Sequence, residues 1–148
     1  MAGERKKGPA LVSQKGISSF LKSSLRTNSE EETLRLAEKL GSTLKSGTVV
    51  ALVGEIGSGK TVFIKGLSRG LGVKNRDEVK SPTFVFLHIY QGRVPIYHFD
   101  LYRLEKEKDL DALGFDDYVS DSKAVSLIEW ADFAPLRVPQ DSLWVQLE

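Results

Sequence analysis

One stretch of the chain, Gly54-Glu55-Ile56-Gly57-Ser58-Gly59-Lys60-Thr61, carries the complete G-x-x-x-x-G-K-[ST] pattern of a phosphate-binding loop (P-loop). Its glycines allow a tight turn, so that backbone N–H groups can approach phosphate oxygens. Lys60 can reach the β- and γ-phosphates, and the Thr61 hydroxyl can ligate Mg²⁺. We therefore predict that the chain binds a nucleoside triphosphate through residues 54–61 and Val62. The alternative is a chance glycine-rich turn.

Two acidic residues follow predicted strands and are candidates for holding Mg²⁺ or orienting water. Glu129 comes directly after the apolar run 124–128, where a Walker-B acid stands, and Asp100 follows residues 96–99 in the same way. An ionised acid at such a position is costly unless a positive group pairs with it, and Mg²⁺ and Lys60 can do so. We expect Glu129, Asp100 and Lys60 to be catalytic. The alternative is that either acid ends its strand in solvent.

A further segment, Ser81-Pro82-Thr83, is interpreted as a switch. Pro82 restricts the backbone, and the two hydroxyls could sense a γ-phosphate or complete the Mg²⁺ shell. An ordinary turn is the alternative. Near Asp100 in sequence, His98 is expected to be a hydrogen-bonded structural histidine rather than a base, and Arg103 either pairs with Asp100 or contacts phosphate.

The elements that must position these residues are predicted from apolar patterning. The run 49–53 predicts a buried strand before the P-loop, and the residues after Lys60 have helical spacing. Strands alternating with helices predict an α/β fold of the P-loop NTPase kind, an open, mostly parallel sheet flanked by helices with the nucleotide at the strands' carboxyl ends. Residues 84–90 and 94–99 predict a β-hairpin. Further segments are a helix over 30–47, a charged helix over 105–113 and strands over 17–26 and 143–148.

Length and composition limit the possible functions. The 148 residues predict one domain, 17–148, after a basic extension, 1–16, that we expect to be disordered. The absence of cysteine excludes disulfides, thiolate metal sites and a cysteine nucleophile, and two histidines exclude a multi-histidine metal site. With no apolar run of about 18 residues and no secretion signal, we expect a cytoplasmic protein without a membrane span.

The charge is unevenly distributed. Residues 1–26 carry six basic residues and one acid, which leaves 15 basic and 19 acidic residues in the remainder. This mildly acidic body lacks the basicity of a stand-alone nucleic-acid binder. We expect the basic start to be a solvated tail; contact with RNA and an organelle transit peptide are the alternatives.

Taken together, these motifs resemble the TsaE family, the bacterial ATPases of tRNA threonylcarbamoyladenosine biosynthesis. The similarity lies in TNSEEET at 27–33, GEIGSGKT at 54–61, KSPTF at 80–84, YHFDLYRL at 97–104 and IEW at 128–130, and it covers about residues 17–148. The basic extension is not part of the family pattern. The strand at 143–148 stops without a cap, which indicates either a truncated chain that lacks a last strand or tail, or a very short natural terminus.

The resemblance implies roles for the residues and for the protein. Lys60 and Thr61 would serve phosphate and Mg²⁺, residues 81–83 would form a switch, and Asp100 and Glu129 would be functional carboxylates. The protein would be an accessory ATPase of the transferase TsaD and its companion TsaB, meeting tRNA only indirectly through that complex. Two other classes stay open: a small-molecule kinase, for which the scattered arginines offer no lid, and a regulatory module whose hydrolysis is incidental.

Overall fold

The chain folds around one seven-stranded sheet, in a computed structural model that describes residues 10–14 and 23–148. The strand order is β2-β1-β7-β3-β6-β5-β4. The strands are β1 Ala10–Gln14, β2 Ser23–Leu25, β3 Val49–Val53, β4 Leu87–Gln91, β5 Pro95–Asp100, β6 Val125–Glu129 and β7 Leu143–Leu147. Strands β7, β3, β6 and β5 run parallel, and β4 joins β5 as an antiparallel hairpin. The predicted mostly parallel α/β sheet with a hairpin is therefore confirmed.

Helices cover both faces of this sheet. In the described part of the chain they are α1 Glu30–Thr43, α2 Lys60–Gly70, α3 Asp109–Leu113 and α4 Phe115–Val119. Residues of β3 alternate between the two faces: Val50 and Leu52 pack with α1 and α2, whereas Val49 and Ala51 pack with α3 and α4. Burial on both faces explains why β3 reads as one continuous apolar run. None of these helices has the length and apolar character needed to cross a membrane.

Caps and one arginine fix the two long helices. The Ser29 hydroxyl accepts a hydrogen bond from the Glu32 backbone N–H at 3.1 Å, which starts α1. Arg93, in the hairpin turn, donates to the carbonyls of Leu44 at 2.9 Å and Gly70 at 2.8 Å. One guanidinium therefore ties the carboxyl ends of α1 and α2 to the hairpin, and it holds α2, which carries Lys60, against the sheet.

Several predicted bounds differ from the structure. The segment 84–86 is a turn, because the N–H groups of Val85 and Phe86 both bond to the Pro82 carbonyl, so β4 begins only at Leu87. The charged helix expected over 105–113 is limited to α3, and Gly114, with φ 82°, separates it from α4. Helix α1 ends at Thr43, four residues before Gly47.

The amino-terminal predictions fall partly outside the described residues, which exclude 1–9 and 15–22. Disorder is predicted for residues 1–16, whereas the structure describes Ala10–Gln14 as β1, which pairs antiparallel with both β2 and β7. Backbone pairing with β7 does not require the large apolar side chains on which the sequence prediction relied. Of the strand predicted over 17–26, the structure describes β2, Ser23–Leu25.

Candidate active site

The P-loop connects β3 to α2, as the sequence predicts. Gly54, Gly57 and Gly59 have φ values of 153°, 82° and 103°, which residues with a Cβ rarely adopt. Gly59 caps α2 without a side-chain hydrogen bond. The first N–H groups of the helix are thus directed, with the positive end of its dipole, toward the space above the loop, which is the requirement for an anion site.

Lys60 lies inside this loop and is only 6% exposed. Its ammonium donates to the carbonyl of Gly54 and, at 2.9 Å, to that of Glu55. The Nζ atom also stands 3.9 Å from the centre of the Trp130 ring. Burial lowers the pKa of Lys60, while the negative charges of Glu129 and Asp100 act in the opposite direction. The positive charge of Lys60 is thus in contact with the loop carbonyls and the indole ring, which take the place of the phosphate expected there.

Glu129 stands at the carboxyl end of β6, directly opposite Leu52 of β3. It is 2% exposed. Its Oε1 lies 3.5 Å from the Thr61 hydroxyl, and its Oε2 lies 2.6 Å from His98 Nε2. The parallel pairing of β3 and β6 therefore brings the predicted acid to the predicted Mg²⁺-ligating hydroxyl, although 68 residues separate them.

Asp100 stands beside Glu129 in the register of β5 and β6. Its Oδ2 accepts hydrogen bonds from the hydroxyls of Ser81 and, at 2.8 Å, Thr83. Its Oδ1 accepts the Tyr102 N–H at 2.9 Å. The structure therefore brings the predicted switch to Asp100. Arg103, in contrast, lies over the Phe84 ring, with 4.9 Å between its guanidinium carbon and the ring centre.

A buried pair that the sequence reasoning missed lies behind Glu129. His98 Nδ1 is 3.0 Å from the Tyr90 hydroxyl, which also contacts the backbone of Lys80. Burial raises the pKa of Tyr90 to about 12. His98 is hydrogen-bonded, as expected, but its partner is the candidate catalytic acid. One signal in the sequence could have indicated this contact. His98 and Asp100 are two residues apart, and residues two apart in a strand lie on the same face, so His98 could have been placed on the face that carries the candidate carboxylates.

These groups surround one cavity of about 310 Å³. The side chains that line it and carry oxygen atoms are those of Glu30, Thr61, Ser81, Thr83, Asp100, Tyr102 and Glu129. Hydroxyl and carboxylate oxygens are ligands that Mg²⁺ prefers. The described residues contain no cluster of three or more acidic, histidine or cysteine ligands.

Known proteins resemble this chain over most of its length. The family model for "Threonylcarbamoyl adenosine biosynthesis protein TsaE" matches residues 27–148. A tRNA threonylcarbamoyladenosine biosynthesis protein TsaE from Treponema pallidum is 36% identical over 121 residues, covering 82% of this chain and 87% of its own length. The protein of that name from Bacillus subtilis is 39% identical over 124 residues, covering 83% and 75%. The crystal structure of Bacillus subtilis YdiB matches with a TM-score of 0.64 and 29% identity, over 93% of this chain and 75% of that one.

Proposed function

This chain belongs to the TsaE family of threonylcarbamoyl adenosine biosynthesis proteins, and we propose that it serves that pathway as a Mg²⁺-dependent ATPase. The observation that carries the proposal is the meeting of Lys60, Thr61 and Glu129 at one cavity. They come from the P-loop, the start of α2 and the end of the neighbouring parallel strand β6. This is the arrangement that phosphoryl transfer requires, because catalysis there consists mainly of positioning and charge stabilisation.

Each side chain has a part in the proposed hydrolysis. The N–H groups of the loop and of the first turn of α2 bind the phosphates, and Lys60 exchanges the carbonyls of Gly54 and Glu55 for phosphate oxygens. The Thr61 hydroxyl and Glu129 Oε1 would hold Mg²⁺, which would supply positive charge beside the phosphates when bound. Glu129 also orients the water whose oxygen bonds to the γ-phosphorus as the bond to ADP breaks, and the proton that this water loses passes to the phosphate product or to solvent.

The switch segment completes the proposed cycle. Asp100 holds the Ser81 and Thr83 hydroxyls at the cavity wall. Loss of the γ-phosphate would change what these hydroxyls contact, and order–disorder changes of such segments are a common outcome of hydrolysis. Residues 81–83 therefore provide a means of reporting the nucleotide state to partner proteins.

We further propose that the partners are TsaD and TsaB, and that tRNA is met only through them. The body after residue 26 carries 15 basic and 19 acidic residues, which disfavours direct binding of a polyanion. The cavity offers groups for phosphoryl chemistry, and no arginine is among the residues that line it in the described part of the chain. An acceptor-phosphorylating kinase is correspondingly disfavoured.

Measuring ATP turnover in Mg²⁺ for the chain alone, with candidate small acceptors, and with TsaD and TsaB tests this function. We expect ADP and phosphate to form without a phosphorylated acceptor, and turnover to respond to TsaD and TsaB. The chain alone, given tRNA, threonine, bicarbonate and ATP, is expected to yield no modified base. A chain that binds no ATP, or that modifies tRNA unaided, would contradict the proposal.

A further inference from the structure

A continuous row of hydrogen bonds crosses three strands between the switch segment and the P-loop. It begins at the Lys80 backbone, passes through Tyr90 of β4 and His98 of β5, and reaches Glu129 of β6 and then Thr61. The separations are 3.2, 3.0, 2.6 and 3.5 Å in that order. Tyr90, His98 and Glu129 are each at most 4% exposed, so water does not compete for these bonds.

Strand register places the three side chains on one face of the sheet. Tyr90 is opposite Ile96, and Glu129 is opposite Asp100, so His98 stands diagonally between both partners. Diagonal neighbours in a sheet are within reach of long and aromatic side chains. The row is thus set by rigid strands rather than by a mobile loop.

The donor and acceptor capacity of each group keeps the row continuous. A carboxylate oxygen can only accept, so His98 Nε2 carries the hydrogen of its bond to Glu129. The Tyr90 hydroxyl lies 3.0 Å from His98 Nδ1 and 3.0 Å from the Lys80 carbonyl, and it also accepts the Lys80 N–H. When Nδ1 accepts from Tyr90, the Lys80 N–H donates to Tyr90; when Nδ1 donates to Tyr90, the Tyr90 hydroxyl donates to the Lys80 carbonyl. Both arrangements join Lys80 to Glu129, and bonds in such chains strengthen one another.

We propose that His98 and Tyr90 are positioning residues that orient the Glu129 carboxylate and couple it to Lys80, the residue directly before the switch segment. The proposal rests on the proposed ATPase function for its effect on rate. His98 occupies Oε2, which leaves Oε1 directed at Thr61. A displacement of the Lys80 backbone moves the Tyr90 hydroxyl, and through His98 it rotates the carboxylate that serves Mg²⁺ and water.

Turnover kinetics of four variants test the positioning role. Tyr90→Phe removes the hydroxyl that joins His98 to Lys80 and leaves the bond between His98 and Glu129 in place, and we expect kcat for ATP hydrolysis to fall about 10-fold, with ATP affinity changed less than about 2-fold. His98→Gln keeps a nitrogen donor the same number of bonds from the backbone, whereas His98→Leu keeps none. We therefore expect His98→Leu to lose about 100-fold in kcat and His98→Gln clearly less.

Tyr97→Phe is the matched control. It likewise removes one tyrosine hydroxyl, here bonded to Asp121 at 2.7 Å, but on the opposite face of β5 from His98. We expect wild-type kcat in this variant, and thermal unfolding of all four identifies any that fail to fold. Equal kcat in Tyr90→Phe and Tyr97→Phe, equal losses in the two His98 variants, or a loss in ATP affinity alone would overturn the proposal.

A second measurement does not depend on hydrolysis and separates this inference from the proposed function. In NMR spectra of the full chain, Glu129→Gln is expected to shift the Lys80 amide proton signal. The shift should disappear in the Tyr90→Phe background and persist in the Tyr97→Phe background. The coupling is refuted if Glu129→Gln leaves the Lys80 signal unchanged, or if the signal shifts in the Tyr90→Phe background as well. Either result holds even if the chain hydrolyses ATP. Absence of wild-type hydrolysis would refute the ATPase function, and the NMR result would still decide the coupling.

Discussion

Replacing Asp100 with asparagine measures how strongly the carboxylate holds the switch segment. Asp100 is 2% exposed and accepts three hydrogen bonds, from the hydroxyls of Ser81 and Thr83 and from the Tyr102 N–H. The Tyr102 N–H can only donate, so the asparagine oxygen must remain opposite it. The asparagine NH₂ then faces the two hydroxyls, which have to rotate and become acceptors.

The magnitude follows from the change in the kind of bond. A hydrogen bond to a charged group contributes about 1.5–3 kcal/mol and a neutral one about 0.5–1.5, so each conversion costs about 1 kcal/mol. Three conversions at this buried site therefore predict a loss of about 3 kcal/mol in the free energy of unfolding. Because the carboxylate holds the switch in place, the weaker bonds should also make amide hydrogen exchange faster in the switch and in the turn that follows it, up to residue 86.

Urea unfolding and hydrogen exchange of Asp100→Asn check this value. Asp121→Asn is the control: that carboxylate also accepts a tyrosine hydroxyl and a backbone N–H, but it is only partly buried. We expect only a small effect there, because water replaces the lost charge-assisted bonds. An unfolding free energy for Asp100→Asn within about 0.5 kcal/mol of wild type, the range of ordinary surface substitutions, would refute the reasoning.

Three further predictions concern the site and the core. Lys60→Ala should abolish productive ATP binding by calorimetry, since the described part of the cavity wall offers no other lysine or arginine; wild-type affinity would contradict the P-loop assignment. Glu129→Gln should bind ATP but hydrolyse it at least ~10²-fold more slowly, and unchanged turnover would leave Asp100 as the acidic candidate. Ser68→Ala should raise the unfolding free energy by about 1 kcal/mol, because the buried Ser68 hydroxyl has no partner among the described residues. Ser142→Ala, which removes a 2.6 Å bond to the Pro139 carbonyl, should lower it, and equal signs would refute this reasoning.

The sequence predicted the local parts of the site because each has its own signature. Parallel strands buried on both faces read as continuous apolar runs, so β3 and β6, with Glu129 at the end of β6, could be located without knowledge of the fold. The P-loop pattern fixed the start of α2. Asp100 was located from its place after residues 96–99, and the family resemblance then supported functional roles for Asp100 and residues 81–83.

What escaped prediction depends on contacts between distant segments. Tyr90 and His98 meet only because of the register between β4 and β5, and nothing local distinguishes His98 from an ordinary buried histidine. Phe84 and its neighbours have β-forming side chains, but the Pro82 carbonyl captures their N–H groups and makes a turn. Likewise, the residues near Arg93 in the sequence give no sign that its guanidinium bonds to the ends of two helices.

The hydrogen-bond partners of the two neighbouring carboxylates also separate roles that sequence alone left open. Asp100 accepts three hydrogen bonds, two at Oδ2 from the switch hydroxyls and one at Oδ1 from the Tyr102 N–H. From the described residues Glu129 accepts two, from His98 Nε2 at 2.6 Å and from the Thr61 hydroxyl at 3.5 Å. A carboxylate offers about four acceptor sites, so Glu129 keeps more free capacity than Asp100, and its Oε1 lies beside the residue that a P-loop uses for Mg²⁺. This asymmetry favours Glu129 as the group that acts on the nucleotide and Asp100 as the anchor of the switch.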